Sequence, residues 1–169
     1  MILLVACALM AAPVHAKSTT EAPATPAAGA AQIVQMPWSV RCDKATNDVK
    51  EHCEAFQVMA MAKTGQRVAE FAVGYTGTDK SIARGVLILP LGILLTDDLV
   101  MQADNGKAFK FKIRYCTTAG CYAFLYMKQA VLDTLRSAKT IKIDTRTSSG
   151  QDVAIEIQMN GFSESLKKL

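Results

Sequence analysis

Histidine is scarce in this 169-residue chain, which holds only His15 and His52. That excludes a multi-histidine metal centre and a His-Glu-x-x-His protease motif. Once an N-terminal leader is removed, His52 is the only imidazole left to act as a base. The sequence also lacks a Gly-x-Ser-x-Gly elbow, a Gly-x4-Gly-Lys phosphate loop and a Gly-x-Gly-x-x-Gly fingerprint. The common nucleophile and nucleotide signatures are therefore missing. Charge of one sign is not in large excess: 19 basic residues face 15 acidic ones, a net +4. That is too mild to indicate a nucleic-acid partner. No cofactor is expected. Long apolar runs are absent too. The longest in the body of the chain, Gly85–Leu95, is interrupted by Pro90 and Gly92, and a spanning helix needs about 20 apolar residues. What remains is an ordinary globular composition, 50% hydrophobic and 20% charged, suited to one domain.

The N-terminus reads as an export signal. Residues 2–12 are apolar and uncharged, and Val14-x-Ala16 fits the small-residue rule for signal peptidase. Residues 1–16 are the expected signal peptide, with cleavage after Ala16. No Lys or Arg precedes the apolar run, a departure from the usual positive start. Leu4-Val5-Ala6-Cys7 is also similar to a lipobox whose Cys would be acylated. The apolar stretch before Cys7 is very short, so soluble export is the expected route. Residues 17–36 begin KSTTEAPATPAAGAA, a composition that cannot offset the entropy of ordering. They are expected to form a disordered tether, and residues 37–169 the folded domain.

Most of that domain alternates as strands do. Trp38–Cys42, Cys53–Met61, Val68–Tyr75 and Gly85–Leu89 are expected strands. So are Leu99–Ala103, Ala108–Tyr115, Cys121–Met127, Ile141–Thr147 and Val153–Met159. Asn105-Gly106 is a strong hairpin signal between two of them, and Ser148-Ser149-Gly150-Gln151 marks another. Val131, Leu132 and Leu135 share one helical face, which predicts a short helix over Lys128–Ala138. Phe162–Leu169 reads as a terminal helix. Together these give a mainly β domain, an antiparallel sandwich or barrel of about eight strands with one inserted helix. Trp38, the single tryptophan, is expected in the core beside Val40.

Four cysteines follow the leader: Cys42, Cys53, Cys116 and Cys121. An even number in an exported chain implies disulfides. Three pairings are possible, and the local ones, Cys42–Cys53 and Cys116–Cys121, are expected. Cys116 and Cys121 bracket a short loop between two strands, so they can stand opposite one another. A zinc site would need two closely spaced pairs, and ten residues separate the first pair. Neither pair is a Cys-x-x-Cys redox motif.

Two features invite a functional reading. His52, beside Cys53, is either a surface residue at a loop edge or a general base. Asp97-Asp98 is read as a loop start, because adjacent strand residues point to opposite faces. Lys110, Lys112 and Arg114 alternate with Phe109, Phe111, Ile113 and Tyr115, which predicts one cationic strand face. Lys142 and Arg146 face outward on a later strand. The plain reading is a solvated face that protects an edge. The functional one is contact with an anionic partner, such as lipid headgroups, a surface polysaccharide or an acidic protein. Tyr122, Phe124 and Tyr126 supply aromatics on the partner strand.

An ordered set of short matches joins these pieces. It runs from Trp38-x-Val40-x-Cys42 through Cys53 and Gly65-Gln66-Arg67-Val68 to Leu89-Pro90-Leu91-Gly92-Ile93. Arg114-Tyr115-Cys116-Thr-Thr-Ala-Gly120-Cys121 follows. Leu132-x-x-Leu135, Lys139-Thr140-Ile141 and Gly161-Phe162 complete it. In this set the chain resembles the invasion-associated locus B family of exported bacterial proteins. The resemblance covers about Pro37 to Leu169. It implies a Gram-negative, mainly alphaproteobacterial origin, a place in the periplasm or at the outer surface, and an association with entry into host cells. It supplies no reaction and no catalytic residues. The expectation is an envelope binding or interaction protein and not an enzyme, with peripheral membrane contact at most. The alternatives are an envelope enzyme built on His52 with carboxylates assembled by the fold, and an assembly factor for a membrane complex.

Overall fold

The computed structural model describes residues 32–44, 52–77, 80–104 and 106–169. The expected signal peptide, Cys7 and residues 17–31 of the tether lie outside them, as does most of the loop between Cys42 and Cys53. Eleven strands and two helices are present among the described residues. They are β1 (Ile33–Gln35), β2 (Ser39–Asp43), β3 (His52–Met61), β4 (Arg67–Tyr75), β5 (Ile82–Leu89) and β6 (Leu99–Ala103). Then come β7 (Ala108–Phe111), β8 (Ile113–Thr117), β9 (Gly120–Lys128), α1 (Gln129–Ser137), β10 (Thr140–Arg146), β11 (Asp152–Gln158) and α2 (Phe162–Leu166).

The strands form two antiparallel sheets. The larger has seven, in the order β1-β3-β4-β5-β9-β8, with β2 also on β3; the smaller runs β11-β10-β6-β7. Period-two alternation explains the core. Ala55, Met59, Phe71, Val73, Leu87, Ala123 and Met127 point inward from the large sheet. Leu99, Met101, Ile141, Ile143 and Ile157 do so from the small one. All belong to one buried cluster, so the two sheets face each other as in a sandwich. α1 buries Leu132 and Leu135 and packs on β9 and β5, while α2 buries Phe162 and Leu166 against β3 and β2.

Two sequence expectations change. Order begins before Pro37, because Ile33–Gln35 pairs with Met59–Met61. The Gln35 amide also donates to the Glu156 carbonyl at 2.9 Å and accepts from the Gln158 N–H at 2.8 Å. A single side chain thus mimics a strand along the free edge of β11. The other change concerns Ala108–Tyr115, which is two strands. β7 pairs with β6 in the small sheet, while β8 pairs with β9 in the large one. Lys112 lies at the crossing, and a bulge follows between Ile113 and Tyr115. Strands that change sheets make the corners of sandwiches through such irregularities. The alternation of charge continues through the break, so nothing in the local pattern marks it.

Gly120 shows how tightly the β8–β9 turn is held. Its φ is +136°, and an added Cβ would sit 2.5 Å from the Leu89 carbonyl oxygen. Gly120→Ala is expected to cost roughly 1–3 kcal/mol, from backbone strain and the clash together. A urea titration checks this, and an unchanged midpoint would show that the turn relaxes freely.

Candidate functional site: a cationic, aromatic groove

The change of sheet creates a groove. β8 pairs with β9 only as far as Ala123. Beyond it, Phe124–Lys128 pairs with β5 on one side and, among the described residues, with no strand on the other. A recess of about 710 Å³ lies there, lined by Phe111, Lys112, Arg114, Tyr115, Phe124 and Tyr126, with Arg84. Arg84 stands opposite Tyr126 in the β5–β9 register. Phe124 is two residues back on the same face. Tyr115 stacks on Tyr122 with ring centroids 5.0 Å apart and meets Phe124 at 6.1 Å. Arg114 occupies the bulge, a device that re-aims a side chain. Tyr115 is 50% exposed and Tyr126 72%, high values for aromatic side chains.

The charges are uneven. Lys112 is 3.7 Å from Asp98, an exposed pair of the kind that contributes little. Among the described residues, Arg84 and Arg114 form no ion pair. Elsewhere the arginines are tied up. Arg41 lies 2.6 Å from both Glu54 and Glu70, and Arg67 holds Glu70 at 3.0 Å. Burial opposes the Arg41 charge, yet its hydrogen bonds to Glu70 and Glu54 outweigh this and hold it above the usual guanidinium value. Arg41 also covers the Phe56 ring at 4.5 Å. The network therefore lets Glu70 sit almost buried on the outer face of the large sheet.

The residues singled out from the sequence separate as follows. Lys112 and Arg114 enter the groove together. Lys110 is on the small sheet and lines an adjoining recess of about 300 Å³ with Phe109, Val131 and Met127. Phe111, Phe124 and Tyr126 are common to both recesses. Arg84 is the groove residue that sequence reasoning missed. Its only signal was a lone cation in the apolar strand Ile82–Leu89. Lys142 pairs with Asp144 at 3.2 Å. Arg146 pairs with Asp152 at 3.0 Å and with Asp97 at 3.4 Å, and its hydrogen bond to Asp152 raises its pKa. Asp97 and Asp98 thus serve different cations. Cys42 is bonded to Cys53 and Cys116 to Cys121, the local pairing.

His52 lines a separate shallow recess with Cys53, Tyr75, Gly77, Lys80 and Leu169. Its ring lies 3.1 Å from where a Cβ on Gly74 would be. Among the described residues it forms no hydrogen bond or ion pair with a carboxylate. A histidine base is oriented by such a partner. Also among the described residues, no three His, Cys, Asp or Glu side chains group as metal ligands, and no helix is long and apolar enough to cross a membrane.

Comparison with known proteins places this geometry. No curated protein sequence matches the chain. The structure is similar to the crystal structure of invasion associated protein b from Bartonella henselae. The TM-score is 0.69 at 25% identity, over 78% of this chain and 88% of that chain. The family model of the invasion associated locus B (IalB) protein matches residues 38–169, which takes in both disulfides, the core and the whole groove. With the match spanning most of its length, the chain belongs to the invasion associated locus B family.

Proposed function

We propose that the protein is exported to the cell envelope, is trimmed near Ala16, and works there by binding an anionic component of the envelope or of a host surface. The groove carries this reading: two arginines without carboxylate partners among the described residues and a weakly paired lysine beside exposed tyrosines. Two disulfides support an oxidising compartment. Binding is favoured over catalysis because, among the described residues, the groove is lined by cations and aromatics with no base and nucleophile pair. A role in host-cell invasion accords with the family and with the Bartonella relative's name.

The test replaces Arg84, Lys112 and Arg114 together by Gln and measures retention on immobilised dextran sulfate. Each cation near an anionic surface contributes about 1 kcal/mol, so affinity should fall roughly a hundredfold at low salt. The gap between the two proteins should narrow at high salt, because exposed charges are screened. Lys110→Gln alone, in the adjoining recess, should lower affinity by no more than about fivefold, far less than the triple change. Equal retention of the triple variant and the parent at low salt would show that the groove cations are merely solvated.

A further inference from the structure

The groove has a second chemical character that a general attraction to anions does not require. Its walls between the cations are aromatic: Phe111, Tyr115, Phe124 and Tyr126. Among the described residues no aliphatic side chain lines it. The exposed aliphatics Ile33, Val34, Met36, Leu91 and Leu95 are not among its lining residues, and Ile82, two residues from Arg84 along β5, borders it without lining it. A surface that enters lipid presents apolar tips projecting from a cationic face. Here the aromatics line a recess instead. At about 710 Å³ this open recess is in the size range of clefts that take a discrete ligand.

We infer that the groove is a binding site for an acidic oligosaccharide, that is, pyranose rings bearing carboxylate, sulfate or phosphate. This rests on the anionic-partner reading above and names its chemical class. An aromatic ring has a negative face and a positive edge. The C–H bonds on one face of a pyranose are weakly positive and flat enough to lie on it. Tyr126, 72% exposed, and Tyr115, 50% exposed, offer two such platforms. Tyr115 is stiffened by its stack on Tyr122, so little rotamer freedom is lost when a sugar covers it. Arg84 and Arg114 carry planar forks that match a carboxylate, sulfate or phosphate with two parallel hydrogen bonds. Lys112 adds a point charge. Arg84 lies directly across from Tyr126, so a ring stacked on Tyr126 brings its acidic substituent to the guanidinium.

The experiment is calorimetric titration of the oxidised mature protein with defined probes. A heparin-derived hexasaccharide represents a host-type glycan, and a lipid-free phosphorylated lipopolysaccharide core oligosaccharide a bacterial one. Maltohexaose, inorganic polyphosphate and phosphatidylglycerol vesicles are the comparisons. At least one acidic saccharide should bind, and maltohexaose at least tenfold more weakly. Tyr126→Ala should weaken saccharide binding about tenfold, while Tyr126→Phe keeps it, since the ring face is the contact. The exposure of Tyr126 lets both variants fold, which their urea midpoints verify. Which acidic saccharide binds tells the source. If polyphosphate or vesicles bind as tightly as either saccharide and Tyr126→Ala binds like the parent, the saccharide inference is overturned while the anionic groove stands. If no anion binds the parent protein, both fail.

Discussion

Reducing both disulfides is expected to lower the stability of the protein by about 5 kcal/mol, enough to unfold a marginal domain. The bridges close segments of 11 and 5 residues in sequence separation. On the loop-entropy model they contribute about 3 and 2 kcal/mol. Their placement adds to this. Cys42 faces Cys53 directly in the β2–β3 register, and Cys116 faces Cys121 in β8–β9. β2 and β8 lie at opposite edges of the seven-stranded sheet, so each bridge secures an edge that would otherwise fray. Urea titration of Cys42→Ser/Cys53→Ser and Cys116→Ser/Cys121→Ser should give unequal losses, the first larger. The second pair holds the turn next to Tyr115 and Arg114, so its removal should also weaken binding in the groove. Peptide mapping without reduction should recover these two links from the exported protein. Four free thiols there would overturn the proposed export, and a midpoint unmoved by reduction would overturn the stabilising role.

Trp38→Ala should cost about 3–5 kcal/mol, the range for emptying a large aromatic site in a core. Trp38 is 7% exposed and meets Phe71 of the large sheet at 6.1 Å and Phe162 of α2 at 4.8 Å. Its indole N–H donates to the Gln158 carbonyl at the end of β11, at 2.8 Å. One side chain therefore joins both sheets and the terminal helix. Truncation leaves a cavity among these groups and an unpaired carbonyl. Trp38→Phe should recover much of the packing and still lose about 1 kcal/mol with the hydrogen bond. Midpoints in urea separate the three proteins. If Trp38→Ala unfolds where the parent does, the side chain is not a core anchor.

Much of this architecture follows from neighbours in the sequence. Strand alternation puts Ile141, Ile143 and Ile157 inside and Lys142 and Asp144 outside, and the structure agrees. The hairpins β3–β4, β6–β7 and β10–β11 are closed by short turns, so their pairing is a local event. The cysteine pairing was legible for the same reason, since each partner stands on the adjoining strand. Leu132 and Leu135 likewise marked the buried side of α1.

Tertiary structure alone decided the groove. Alternation reports which side of a strand a residue takes, and it is blind to which sheet the strand joins. Lys110, Lys112 and Arg114 therefore read as one stripe, although the chain leaves the small sheet for the large one at Lys112. The pairing of β5 with β9, distant in sequence, set Arg84 against Tyr126. The same long-range folding brought Arg41 and Arg67 over Glu70. Local pattern determined the strands, their faces and the disulfides, because those depend on side chains a few residues apart. Which cations were left unpaired beside which aromatics depended on strand partners far apart in the chain, and only the packing of the two sheets selects those.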